Sequence, residues 1–174
     1  MAFLFPTHYR RQITDVTVED LHRMGVQAVL LDVDNTLTTH DAPGLTDAVK
    51  SWLGEMRDAG FSLIIVSNNK PERVAPFADK IGLPFYALAH KPLPGGYRAA
   101  ARQLGYSPSK CVAIGDQIFT DILGANLSGM SSVLLEPIEP EVEQKFIVFK
   151  RKIERPLLNS RRQRARREAD YGER

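Results

Sequence analysis

The sequence predicts an α/β fold, a doubly wound, parallel, five-stranded Rossmann-like sheet. Three observations carry it. Apolar runs alternate with amphipathic helical stretches along most of the chain. The apolar runs are continuous rather than alternating, as in strands covered on both faces. Distinctive polar residues stand directly after these runs, where open parallel sheets bind ligands.

Residues 1–16 read as an irregular lead-in. Thr17, with Asp20 three residues on, has the pattern of a helix N-cap, and Gly25 is a stop, which predicts a helix over 18–24. Ala28-Val29-Leu30-Leu31 forms the heart of a strand over 28–33. A loop over 39–45 contains Pro43 and Gly44. Thr46 caps a helix to about residue 59, with Val49, Trp52, Leu53 and Met56 on one face as core, and Gly60 ends it. A second strand over 61–66 runs into Ser67-Asn68-Asn69-Lys70. Pro71 opens a helix to residue 81 before Gly82. A short strand over 84–87, a helix over 96–104, a strand over 111–114, a helix over 118–127 and a fifth strand over 132–135 follow, and 136–140 turn the chain.

The 174 residues suit one domain with a full core, and 43% apolar with 25% charged residues is ordinary for a globular protein. No apolar run approaches the roughly 18 residues that span a bilayer. The start, Met1-Ala2-Phe3-Leu4-Phe5-Pro6, has neither a basic leader nor a long apolar stretch, so no signal peptide is expected. The one cysteine, Cys111, excludes an internal disulfide and is expected buried and reduced. A cytoplasmic location follows.

The net charge of +2 hides an asymmetry: residues 145–174 carry 11 Lys/Arg against 4 Asp/Glu. The chain therefore divides into an α/β domain over 1–144 and a basic segment over 145–174, helical at first and then solvated. Arg161-Arg162-Gln163-Arg164-Ala165-Arg166-Arg167 suits an anionic membrane surface, at the inner face of the membrane for a cytoplasmic protein, and suits plain solvent equally. No aromatic residues interleave the arginines, which weighs against a nucleic-acid partner. The sequence leaves the oligomeric state open.

Asp32 and Asp34 stand two positions apart just past a buried strand, a costly arrangement without a counter-charge. Mg²⁺ is the natural one, since it favours carboxylate, carbonyl and water oxygens. Phosphate ester hydrolysis needs charge neutralisation, a nucleophile and an acid/base. Asp32 suits attack on phosphorus. Asp34 suits proton transfer, offering the metal its backbone carbonyl. Asp116 would complete the metal site. Ser67 and Lys91 would hold the phosphoryl group, with Asn35 and Asn68 at the substrate, Thr36 supporting the loop and Asp121 fixing Lys91. Asn69 and Thr120 are further polar candidates, and His90 is expected to line the pocket.

These pieces resemble the haloacid dehalogenase (HAD) superfamily: Asp-x-Asp-x-Thr at 32–36, Ser67, Lys91, and Gly-Asp-x-x-x-x-Asp at 115–121. The order and spacing are similar to members without a large cap domain, and more narrowly to the YqeG-like branch of subfamily IIIA, through Ser67-Asn68-Asn69 and His90-Lys91-Pro92. The resemblance implies a Mg²⁺-dependent phosphatase. It also points to phosphatidylglycerophosphate, the substrate of similar mitochondrial enzymes in phospholipid synthesis. A soluble sugar phosphate, a nucleotide or a nucleic-acid end is the alternative substrate. A phosphoacceptor or an RNA-associated scaffold is the non-enzymatic rival, which Asp34 disfavours because a stable phosphoacceptor needs no acid/base.

Overall fold

A computed structural model describes residues 2–39, 44–138 and 170. Residues 40–43 of the expected loop, and the basic segment over 145–174 apart from Asp170, lie outside the described residues. The elements run β1 (His8–Arg10), α1 (Val18–Arg23), β2 (Ala28–Leu31), α2 (Asp47–Asp58), β3 (Ser62–Val66), α3 (Pro71–Ile81), β4 (Phe85–Tyr86), α4 (Pro94–Gln103), β5 (Cys111–Gly115), α5 (Leu123–Ser128) and β6 (Ser131–Leu135). Among the described residues, no helix is long and apolar enough to cross a membrane.

All strands pair in parallel, in the order β1-β6-β5-β2-β3-β4. The predicted fold class holds, with one correction: among the described residues the sheet has six strands, not five. The sixth is β1, inside the expected irregular lead-in. It is three residues long and pairs through β6, too short to leave a periodic signature. β2 sits between β3 and β5, so the chain leaves it first to one side and later to the other. That reversal opens a crevice beyond its carboxyl end.

Side chains alternate between the two faces of the sheet. Val29, Leu31, Leu63, Ile65, Val112 and Ile114 meet Trp52, Leu53 and Met56 of α2 and Val74 and Ala78 of α3. Ala28, Leu30, Ile64, Val66 and Ala113 face the opposite layer, where Ala100 and Ala101 of α4 and Ala125 of α5 supply small surfaces. Gly96 is needed there, since a Cβ on it would come within 2.1 Å of the Ala89 carbonyl oxygen. Cys111 is buried, and burial pushes its thiol up to about 11, in keeping with an inert, reduced residue. Trp52 donates its indole N–H to the Val16 carbonyl at 2.7 Å, tying α2 to the segment before α1.

Thr17 and Asp20 form a full capping box at α1. Asp20 also receives two bonds from Arg10 of β1, Nε at 3.2 Å and Nη2 at 2.9 Å. Burial opposes the charge on Asp20, but Arg10 and the Thr17 N–H outweigh it and hold the carboxyl below its usual value. Asp20→Ala therefore leaves Arg10 buried beside no carboxylate and α1 without its box. The expected loss is about 3 kcal/mol of stability, read as a lower urea midpoint at pH 7; an unchanged midpoint would show the pair to be dispensable.

Candidate active site

The ladder between β2 and β5 extends one residue past β2. Asp32 donates its N–H to the Ile114 carbonyl at 3.0 Å, which holds the residue on the rim of the crevice. The chain then turns tightly. The N–H groups of Thr36, Leu37 and Thr38 all point at the Val33 carbonyl, and Asn35 takes a left-handed conformation at φ 62°. Asparagine tolerates that region better than most residues. Leu37 plugs into the core and anchors the turn.

Lys91 reaches the same place from the loop after β4. Leu88 and His90 before it are both left-handed, at φ 48° and 52°. Asn68 braces it: the Lys91 N–H donates to Asn68 Oδ1 at 2.6 Å, and Asn68 Nδ2 donates to the Lys91 carbonyl at 3.2 Å. Lys91 Nζ lies 2.5 Å from Asp32 Oδ1 and 2.7 Å from Asp121 Oδ1, with its side chain 5% exposed. Burial works against the ammonium, but Asp121 and Asp32 more than offset it, and the lysine is held well above its usual pKa.

Asp116 and Asp121 come from the end of β5. Between them the chain passes through a π turn, Ile118–Ile122, rather than the regular helix expected over 118–127. Asp121 Oδ2 accepts from the Gln117 N–H at 3.2 Å and the Thr120 hydroxyl at 3.4 Å. Its Oδ1 accepts from Tyr97 at 3.2 Å as well as from Lys91. A Cβ on Gly115 would come within 2.4 Å of the Asp121 carboxyl carbon, so glycine is what lets that side chain fold back.

One carboxylate oxygen from each of Asp32, Asp116 and Asp121 lies within 4.8 Å of the others. Set against the single ammonium of Lys91, three carboxylates leave a negative excess in a largely buried place. Burial, with repulsion from Asp121 and Asp34, pushes Asp32 up to about 7 despite the pull of Lys91. The buried Oδ1 of Asp116 takes no hydrogen bond, although the residue interacts elsewhere. An all-oxygen donor set with excess negative charge fits a hard divalent cation such as Mg²⁺. Beside the expected Asp32 and Asp116 the cluster includes Asp121; Asp34 was expected to offer only its backbone carbonyl, and its carboxylate is not part of the cluster.

Asp34 faces the other way. Asn69 Nδ2 donates to its Oδ2 at 3.2 Å, Arg73 of α3 stands 3.8 Å from its Oδ1, and its side chain is 32% exposed. A cavity of about 140 Å³ opens beside it, lined by Val33, Ser67, Arg73, Val74 and Phe77 among others. Ser67 is buried, and its hydroxyl accepts the Asn69 N–H at 3.1 Å.

The crevice thus gathers Asp32, Asp116, Asp121, Lys91 and Thr36, the last with its hydroxyl 3.5 Å from Asp32 Oδ2, while Asp34, Ser67 and Asn69 line the cavity that also holds Arg73. Asn35 lies in the turn, its N–H on the Thr38 carbonyl at 2.8 Å and its own carbonyl accepting from Ile138 at 3.3 Å. Asn68, expected at the substrate, has both ends of its amide on the Lys91 backbone. His90, expected in the pocket, is exposed and outside the cavity lining. Sequence reasoning missed Tyr97 and Arg73. Tyr97 follows two glycines on a helix that reads as core, and Arg73 sits in the first turn of α3 among exposed charges, so neither carries a local signal.

The family model for haloacid dehalogenase-like hydrolase matches residues 45–129. The chain is 35% identical over 159 residues to the probable phosphatase YqeG of Bacillus subtilis (strain 168), covering 91% of each. It is 25% identical over 166 residues to phosphatidylglycerophosphate phosphatase 1, chloroplastic/mitochondrial, of Arabidopsis thaliana, covering 90% of this chain and 47% of that one. Among solved structures, an uncharacterized protein from Listeria monocytogenes serotype 4b aligns at TM-score 0.56 and 22% identity, covering 69% of this chain and 83% of the other. The cobalt-bound deoxy-D-mannose-octulosonate 8-phosphate phosphatase (YrbI) of Haemophilus influenzae aligns at TM-score 0.51 and 13% identity, covering 64% and 69%. At those identities the structures bear on the fold alone. Near-complete coverage at 35% identity settles the family, and the chain is a phosphatase belonging to the haloacid dehalogenase-like hydrolases.

Proposed function

We propose that the protein is a Mg²⁺-dependent phosphomonoester hydrolase that works through an aspartyl-phosphate, with phosphatidylglycerophosphate as its substrate. The observation that carries the chemistry is the buried contact of Asp32 with Lys91 inside a cluster of three carboxylates. Asp32, Asp116 and the Asp34 backbone carbonyl would hold Mg²⁺, with Asp121 close by. Bound there, Mg²⁺ supplies positive charge that keeps Asp32 ionised and lowers repulsion between it and the phosphate.

The reaction balances over two steps. Asp32 forms a bond to phosphorus as the ester bond breaks, and Asp34 gives its proton to the departing oxygen. Water then attacks phosphorus, Asp34 takes the proton back, and phosphate leaves with Asp32 restored. Lys91 neutralises the phosphoryl oxygens, and the Ser67 hydroxyl donates to one of them. Thr36 and Asp121 hold Asp32 and Lys91 in place.

The lipid substrate is supported by the Arabidopsis relative's name and by the basic stretch over 145–174, which follows the domain over 1–144 and touches β1 through Asp170. It would rest on an anionic membrane, each basic residue near the surface adding on the order of 1 kcal/mol. The short span between Asp34 and α2 leaves little chain to cover the site, which suits a substrate presented at a membrane.

Asp32→Asn is expected to lower kcat by at least a thousandfold on phosphatidylglycerophosphate, with the far-UV CD spectrum unchanged; a tenth of the activity remaining would remove Asp32 as nucleophile. Asp34→Asn is expected to slow turnover and let phosphorylated protein accumulate. EDTA should abolish hydrolysis and Mg²⁺ restore it.

A second test reads stability. Asp32 has a folded pKa near 7, above the ordinary 3.8. Its contribution is therefore complete below the unfolded value and is lost as pH rises through 7. In EDTA, part of the fall in Tm between pH 5 and pH 8 is expected to vanish in Asp32→Asn, and Mg²⁺ should raise wild-type Tm more at pH 8 than at pH 5. Equal Mg²⁺ shifts at both values would count against this cluster as the metal site.

Changing Arg161, Arg162, Arg164, Arg166 and Arg167 to serine is expected to weaken binding to vesicles containing phosphatidylglycerol by at least tenfold at 0.1 M salt. Undiminished vesicle binding would dismiss the membrane role of the basic stretch.

A further inference from the structure

We propose that Tyr97 is a positioning residue that keeps Asp121 as the partner of Lys91 and out of the metal's set of ligands, and that it thereby favours Mg²⁺ over Ca²⁺ at this site. The inference rests on the metal reading above and deepens it. One oxygen of Asp121 lies within 4.8 Å of oxygens from Asp32 and Asp116, so distance alone does not separate a third carboxylate ligand from a neighbour. What separates them is whether Asp121 has an acceptor position to give.

A carboxylate has about four such positions. On Asp121 Oδ1, Lys91 Nζ takes one at 2.7 Å and the Tyr97 hydroxyl another at 3.2 Å. On Oδ2, the Gln117 N–H takes one at 3.2 Å. The Thr120 hydroxyl stands 3.4 Å from Oδ2 and 3.3 Å from Gln117 Oε1, and its single proton serves one of them at a time. Oδ1 is therefore closed by two donors, and Tyr97 is the one that carries no charge.

The surroundings show that this hydroxyl is built in. Tyr97 is 2% exposed and shares its part of the core with Ala100, Ala101 and Ala113, where phenylalanine would fill the same space without burying a polar atom. Gly124 makes room for the ring, since a Cβ on it would come within 2.4 Å of Tyr97 Cε2. Lys91 and Tyr97 stand at the two ends of one short stretch, Lys91-Pro92-Leu93-Pro94-Gly95-Gly96-Tyr97, which brings both donors to a single oxygen.

The number of protein ligands bears on which ion the site takes. Asp32, Asp116 and one backbone carbonyl are few, which suits Mg²⁺, a small ion that keeps several of its waters. Ca²⁺ takes about six to eight oxygens and gains more from an added carboxylate. By occupying Oδ1, the Tyr97 hydroxyl withholds that carboxylate from the metal, and Lys91 keeps its partner.

The test uses the full chain, freed of metal with EDTA, dialysed and kept without substrate. Mg²⁺ and Ca²⁺ are titrated, by calorimetry and by the rise in Tm, into wild type, Tyr97→Phe, Asp121→Asn and Tyr97→Phe/Asp121→Asn. Tyr97→Phe keeps the ring and loses only the hydroxyl. It is expected to raise the ratio of Ca²⁺ to Mg²⁺ affinity about tenfold, and adding Asp121→Asn is expected to cancel that rise. Asp121→Asn alone is expected to leave the ratio within about twofold of wild type, because Asp121 is not a ligand while Tyr97 holds it. Three results would overturn the inference. The first is an unchanged ratio in Tyr97→Phe, with or without a lower Tm, which would leave the hydroxyl a purely structural part of the core. The second is a raised ratio that persists in the double variant. The third is a ratio that falls about tenfold in Asp121→Asn alone, which would show Asp121 to be a ligand already and needs no Tyr97 variant to fold. If neither ion binds the wild-type protein, the Mg²⁺ reading fails and this one with it; if both bind and the ratio does not move, only the role of Tyr97 is lost.

Discussion

A buried ammonium in contact with two carboxylates is the arrangement around which the crevice is built. Lys91 Nζ touches both Asp32 and Asp121, and a third carboxylate, Asp116, lies within reach of the same cluster. Burying charges is expensive, and their mutual attraction offsets the cost only with good geometry and further hydrogen bonds. The surrounding residues supply both. Asn68 clamps the lysine backbone, Tyr97 and Thr120 donate to Asp121, and Gly115 leaves the space into which Asp121 turns. Burial raises the Tyr97 phenol well above its usual pKa, so it stays a donor. Each supports an ion pair that, left half-made, would destabilise the domain.

The sheet explains why these groups meet although they lie far apart in the chain. β2 is central, and its two neighbours, β3 and β5, also run parallel to it, so all three end on one side. Asp32 follows β2, Ser67 and Asn68 follow β3, Asp116 follows β5, and Lys91 arrives just after β4. The regular part of the fold thus brings four short loops together, and the loops carry the unusual conformations. Asn35, Leu88 and His90 adopt positive φ, and a π turn leads to Asp121. Such irregularity persists where surrounding contacts hold it, and it is common where side chains must be aimed.

Most of this organisation was legible from the chain itself, because the relevant signals are local. Continuous apolar runs marked β2, β3, β5 and β6, and the cap at Thr17, the proline at 71 and the glycine at 82 bounded helices close to their observed ends. The features that escaped depend on partners distant in sequence. β1 owes its existence to β6 and to the Arg10 contact with Asp20, and Asp170 adds to it by accepting the Tyr9 N–H at 2.8 Å. No three-residue segment announces such support. The π turn differs from a helix by one residue in its hydrogen bonding, a distinction that apolar spacing does not record. Asp121 is expected beside Lys91 and stands 2.7 Å from it; what escaped is that the same carboxyl joins the cluster of Asp32 and Asp116, in a space the glycine six positions earlier leaves open. Asn68, next to Ser67, reads as a candidate for the substrate, yet its amide matches the Lys91 backbone at both ends.

The two aspartates of the first loop show how one turn can serve two chemical requirements. Asp32 is largely enclosed, with burial raising its pKa and an ammonium against it, while Asp34, two residues on, is a third exposed and bonded to an asparagine. A nucleophile gains from such enclosure, since water competes with it for the phosphate and screens the charges that position it. A group that must give up a proton and then recover one from water needs the opposite, an opening to solvent. The two carboxylates face different environments although a single residue, Val33, separates them. The open side is where Ser67, Asn69, Arg73 and the edge of α3 line a cavity, and the buried side holds the ion-paired cluster.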